Sequence, residues 1–170
     1  MERYRYRSGQ MMLALLVVLA SPLFAQVSLK PEDPVFGTWV LDLARSSFRA
    51  GPAPQSQLRI YEPYPITGTT RPYVQGLKGT VVTVDTRGNE TTTTFIGRYD
   101  SIQHPYAGRE GADAIALERT GPLTAVSKFF HGGVAVGNAT RTISEDGREL
   151  TIRVEFGNKI HSVEVFRKQP

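Results

Sequence analysis

"NATRTISEDGRELTIRVEF", residues 138–156, reads as strand, turn and strand in one stretch. Leu150, Ile152, Val154 and Phe156 alternate with Thr151, Arg153 and Glu155. A period of two puts the first set on a core and the second in water. Ahead of them, Glu145-Asp146-Gly147-Arg148 supplies the residues of a tight turn, and a turn that short joins antiparallel neighbours. The strand before the turn, Val134 to Ser144, is less clear. Ala135, Gly137, Ala139, Arg141 and Ile143 share one face, and Val134, Val136, Asn138, Thr140 and Thr142 share the other. Neither face is cleanly apolar, which fits a strand lining a hollow, partly wet interior and equally fits a flat edge strand.

The same grammar extends on both sides. Turn signals at 85–90, 119–122, 131–133 and 157–159 separate segments rich in Val, Thr, Ile, Phe and Tyr, and no segment carries a helical period. Strands are expected at 38–43, 58–62, 80–85, 91–99, 113–119, 123–130, 134–144, 149–156 and 160–167. Such short strands at a spacing of about ten residues are an all-β pattern. An open sheet of them would leave two long edges, so closure into an antiparallel up-and-down β-barrel is expected. Residues 50–75 break the pattern with "GPAP", "YEPYPITG" and "RPYV". Proline is excluded from central strands, so this region is expected to be an irregular crossing with one short edge strand.

At the N-terminus, Arg3, Arg5 and Arg7 precede an uninterrupted apolar run from Met11 to Leu19, then Ser21-Pro22 and Ala25. That order is the pattern of a secretory signal peptide over residues 1–25, cleaved near Ala25. The run is about half of what a bilayer crossing requires. The expected product is one domain, residues 26–170, periplasmic or secreted, with no transmembrane segment after cleavage. The formal net charge is +4, half of it contributed by the three leader arginines and Glu2. The remaining basic residues are dispersed, without the clusters that track phosphates, so no nucleic-acid partner is expected. The chain has no cysteine, which excludes disulfides, thiolate metal sites and a cysteine nucleophile.

Gly37-Thr38-Trp39 opens the first expected strand, after Asp33-Pro34 and before Leu41-Asp42 and Arg45-Ser46. With "YDSIQHPYAG", "NATRTISEDGRELTIRV" and the final "VEVFRKQ", this resembles the bacterial secreted lipocalin-like proteins. The resemblance implies a calycin-type barrel of about 8–10 strands around a central cavity; many such relatives have no assigned ligand. It also implies that Trp39 plugs the narrow end of the barrel under a late-strand arginine, for which Arg167 is the matching position.

A cavity of this kind uses a few fixed polar groups among apolar walls. The candidates are Arg98, Tyr99, Tyr106, Lys128 and Arg141. If the Ala139 and Ile143 face is interior, the Arg141 fork is placed to pair with a ligand carboxylate. Lys128, directly before Phe129 and Phe130, also fits a solvent-facing position. Ser46 and Ser47 have no local base to make a nucleophile and read as strand-end hydrogen bonders. His104, His131 and His161 lack metal-ligand spacing, and Asp100, Asp113, Glu118 and Glu164 read as surface carboxylates. No metal or cofactor is expected. The function these residues suggest is a noncatalytic exported barrel holding a small apolar or amphipathic ligand. Its rivals are an envelope protein partner docked on Tyr61, Tyr64 and Tyr73, and a small barrel enzyme.

Overall fold

Alternation puts Leu150, Ile152 and Val154 inside and Arg153 outside in the strand Glu149–Phe156. In the computed structural model, which describes residues 33–65, 75–157 and 159–170, eleven strands follow one another. They are β1 (Gly37–Leu41), β2 (Ser47–Phe48), β3 (Ser56–Pro65), β4 (Gln75–Val84), β5 (Glu90–Gly97), β6 (Gln103–Ala107), β7 (Ala114–Arg119), β8 (Thr124–His131), β9 (Val134–Ile143), β10 (Glu149–Phe156) and β11 (Lys159–Lys168). Residues Glu32–Pro170 form one compact unit. The expected signal peptide lies outside the described residues. Among those residues, no helix is long and apolar enough to cross a membrane.

From β3 to β11 each strand pairs antiparallel with the next. β1 then pairs on one side with β3, Trp39 opposite Arg59, and on the other with β11, Trp39 opposite Lys168. That double pairing closes the barrel. β2 is a two-residue addition to β11, Phe48 opposite Ser162. The 42–48 segment covers Val165 from outside: the Asp42 amide donates to the Val165 carbonyl, and the Val165 amide donates to Ser46 Oγ. Ser46 is therefore a strand-end hydrogen bonder.

β9 has a partner on each side, β8 and β10, so the edge-strand reading is excluded. Its Ala139, Arg141 and Ile143 face is the interior one. The expected irregular crossing at 50–75 is corrected over Ser56–Pro65, because β3 runs unbroken through Pro63 to Pro65 against β4, while residues 66–74 lie outside the described residues. β1 contacts β3 only as far as Tyr61. The prolines therefore lie where β3 has one neighbour and the missing amide hydrogen is not needed. β6 also escaped the sequence reading. Its Pro105 sits where only β7 pairs, since the β5 register covers just Tyr106 and Ala107.

The ring of Phe95 occupies the space beside Gly79, its direct cross-strand partner. A Cβ built on Gly79 would come within 2.3 Å of Phe95 Cε1. Gly79→Ala is expected to lower unfolding stability in urea by about 1–3 kcal/mol, the usual cost of overpacking. Gly51→Ala, where a Cβ meets nothing within 4 Å, leaves the midpoint in place. Equal midpoints for the two variants would contradict this packing.

Candidate functional site

The chain enters the barrel across one end, and its first described turn closes that end. Phe36 N donates to Asp33 O at 3.0 Å and Val35 N to Asp33 Oδ1 at 3.1 Å. Trp39, wholly buried, donates its indole N–H to the Val35 carbonyl at 2.8 Å. The cation over its ring is Lys168, with Nζ 5.1 Å from the centroid. This corrects the expectation for Arg167. Cross-strand partners share a face, and Trp39 opposes Lys168 while Arg167 opposes Val40. Arg167 therefore points outward, its side chain 68% exposed, in a 2.7 Å ion pair with Asp42. A cation over an indole contributes on the order of 1 kcal/mol.

Inside this plug lies a polar chain. Arg141 is buried, donates from Nη2 to Tyr99 Oη, and sits 5.3 Å from the Tyr61 ring and 5.7 Å from the Tyr99 ring. Tyr99 Oη in turn donates to Asp33 Oδ2 at 2.8 Å, and Arg119 pairs with the same carboxylate oxygen. The Arg119 guanidinium also stacks 4.2 Å from the Tyr99 ring centroid.

Further along the lumen, Arg59 pairs with Glu164 at 2.9 Å and donates from Nε to Gln57 Oε1 at 3.0 Å. Ser162 Oγ donates to the other Glu164 oxygen at 2.8 Å. Opposite this polar wall runs an aromatic one. Phe95 meets Tyr106 edge-on at 5.7 Å, Tyr106 stacks near Phe129 at 6.0 Å, and Phe129 near Phe156 at 6.1 Å. Arg109, from the loop between β6 and β7, lies over Phe129 at 4.8 Å and over Tyr106 at 5.8 Å. It covers the aromatic wall at the end opposite Trp39, the mouth.

These side chains leave a lumen cavity of about 30 Å³, lined by Arg59, Arg109 and Arg141 with Tyr61, Tyr106 and Phe129 among the rest. That corrects the expectation of an open interior. A drug-sized ligand needs roughly 300 Å³ or more, and this void has room for ordered water. At the mouth, between residues 48–57 and the turn after β4, a solvent-open groove of about 320 Å³ is lined by Phe48, Pro52, Pro54, Gln57, Thr83 and Arg87.

Of the residues singled out from sequence, Arg141 and Tyr106 line the lumen cavity, and Tyr99 reaches it through its bond to Arg141. Lys128 does not: Ser127 and Phe129 beside it line the cavity, so alternation turns it outward. Arg98 follows the end of β5 and is held in the loop by Asp100 at 3.0 Å. Tyr61 is buried, which removes it from any exposed docking surface; Tyr64 remains partly exposed, and Tyr73 lies outside the described residues.

Glu164 is interior, contrary to the surface reading, because Arg59 and Ser162 satisfy it. Arg59 was not singled out, and Tyr61 was placed on an exposed surface, because Leu58 and Ile60 look like the core face of β3. The register against Trp39 and Gly37 turns the other face inward. The histidines are separate: His104 contacts Asp100 at 3.2 Å, His131 approaches Asp113 at 3.7 Å, and His161 meets Phe156. Among the described residues no group of three His, Asp or Glu side chains is placed to hold a metal.

No protein-family model matches the chain, and no curated protein matches it either. Among solved structures, a mutant of the fluorescent protein UnaG is similar over 81% of this chain and 97% of its own, at 12% identity and a TM-score of 0.49. At that likeness nothing of the neighbour's chemistry passes to this chain. The barrel rests on its own hydrogen-bond register.

Burial first, with the charge and hydrogen bond of Asp33, pushes the Tyr99 phenol up to about 12 from an ordinary 10.0, against the opposing guanidiniums of Arg141 and Arg119. The folded chain thus holds this proton more tightly than the unfolded chain. The resulting stability is complete below about pH 10 and lost as pH rises towards 12. Wild type minus Tyr99→Phe stability in urea is expected to be flat below that window and to fall within it by on the order of 2–3 kcal/mol. Parallel pH curves for the two proteins would contradict the buried placement of the hydroxyl.

Proposed function

We propose that this chain is an exported, noncatalytic barrel that binds a small amphipathic molecule carrying an anionic group. One observation carries the reading: Arg141 is buried on the lumen wall with no carboxylate in ion-pair distance among the described residues. Arg109, only half-buried, also has no carboxylate in ion-pair distance among the described residues and lines the same void, while Glu164 is taken by Arg59. An unpaired buried cation is costly, and a guanidinium fork is suited to a planar carboxylate. The anionic group belongs at Arg141, and the apolar body belongs along Tyr106 and Phe129.

Space for that body comes from moving Arg109. No hydrogen bond or ion pair of its side chain holds it among the described residues, and it rests only on the two rings. Gly108 and Gly111 bracket it with φ of 76° and 73°. At Gly108 the turn admits no side chain, because a Cβ would meet the Thr92 carbonyl at 2.2 Å.

The test is calorimetric titration with benzoate, octanoate, benzyl alcohol and octanol. Anions are expected to bind and the neutral alcohols to bind more weakly. Arg141→Met should cost about tenfold or more for the anions, in line with hydrogen bonds to charged groups, and little for the alcohols. Binding of none of the four, or equal binding of acid and alcohol, would end the reading. Export rests on the order of charge, apolar run and small residue in positions 3–25. Expression of the full chain in a bacterial host should yield an envelope protein whose N-terminus maps close to Gln26; intact leader in the cytoplasm would refute it.

A further inference from the structure

Four contacts seat the segment Asp33–Phe36 across the closed end. Asp33 is held by Tyr99 Oη at 2.8 Å and by Arg119. The Pro34 carbonyl accepts from Lys168 Nζ at 3.4 Å, and the Val35 carbonyl accepts from Trp39 Nε1 at 2.8 Å. One of the four leads into the lumen. The Tyr99 hydroxyl has a single proton, which it gives to Asp33, and its oxygen accepts from Arg141 Nη2.

We propose that lumen occupancy and the seating of Asp33–Phe36 are coupled through Tyr99, so that an anion taken up by Arg141 loosens the segment. The proposal rests on the anion-binding reading above and extends it to regulation. In a low-dielectric interior, donors and acceptors in a chain polarise one another. Arg141 makes the Tyr99 hydroxyl a stronger donor, and its charge favours the nearby carboxylate of Asp33. An anion on the Arg141 fork draws Nη2 away from Tyr99 and cancels that charge. Asp33 then keeps Arg119 but holds a weaker bond from Tyr99. Linkage requires the reverse effect to be equal: freeing the segment raises anion affinity by the same factor. The lead-in segment thereby reports on the lumen from the far end of the barrel.

Two amides report on the turn that the seated Asp33 organises, since Val35 N donates to Asp33 Oδ1 and Phe36 N to Asp33 O. Hydrogen exchange of these amides is followed in the full chain, with and without saturating benzoate, against Leu150 and Phe166 as global reference. Benzoate is expected to speed exchange at Val35 and Phe36 by about fivefold or more, the lower end of ordinary coupling, without speeding the reference amides. Asp33→Asn should raise benzoate affinity by a similar factor, and the effect should vanish in a Tyr99→Phe background. Benzoate binding with unchanged exchange at 35 and 36, or with unchanged affinity in Asp33→Asn, overturns the coupling while sparing the binding site. If benzoate does not bind, the binding reading fails. The coupling is then decided without ligand: Arg141→Met must speed exchange at Val35 and Phe36, and unchanged exchange overturns it.

Discussion

β1 is held along one edge by β3 and along the other by β11, and the chemistry of the interior follows from that closure. With both edges of β1 taken, the sheet closes on itself and does not end in two open edge strands. The same closure forces every inward residue of ten strands to share one narrow lumen. Apolar inward residues solve this by packing, as Leu77, Leu117, Leu150 and Phe166 do. A charged inward residue must find its partner within the barrel. Arg59 finds Glu164, whereas Arg141 finds a phenol, two ring faces and, only at one remove, the carboxylate of Asp33.

Holding the barrel together does not require these charges. A buried ion pair gains little over well-packed apolar residues of the same size, although breaking one leaves a costly orphan. Trp39, the Phe95 to Phe156 aromatic series and the leucines already fill the centre. Three guanidiniums in so small a space are what motivates the proposed anion-binding reading. Charged lumen groups stand on β3, β9 and β11, interleaved with the aromatic series on β5, β6, β8 and β10.

Sequence alone made the barrel legible because β10, with its strict alternation and a turn on each side, is unambiguous, and because the other turns repeat it. Positions with a special local pairing were harder. Pro63, Pro65 and Pro105 argue against strands, and the rule they invoke holds only where both neighbours pair. Arg141 blurred the alternation of β9 because the residue that defines the candidate site is also the one that breaks the core pattern. Arg59 and Tyr61 were hidden by Leu58 and Ile60 on the opposite face of β3, which nothing local distinguishes from a core face. Lys168 took the place expected of Arg167 by a one-residue difference in register, and cross-strand register is not written in any single strand.

The two ends of the barrel are unequal in a way that bears on how anything enters. Around Trp39 the chain is fastened by charged or hydrogen-bonded contacts from β1, β7, β11 and the loop after β5, and their partners are buried or half-buried. At the mouth, Arg109 rests on two rings with no such partner among the described residues, in a loop bracketed by Gly108 and Gly111. A cation over a ring in a partly solvated setting contributes about 0.5–1 kcal/mol, whereas the Asp33 cluster combines an ion pair with three hydrogen bonds around one turn. On the proposed anion-binding reading, a guest would pass the weaker end at Arg109 and the stacked rings to reach Arg141, with the fastened end behind it.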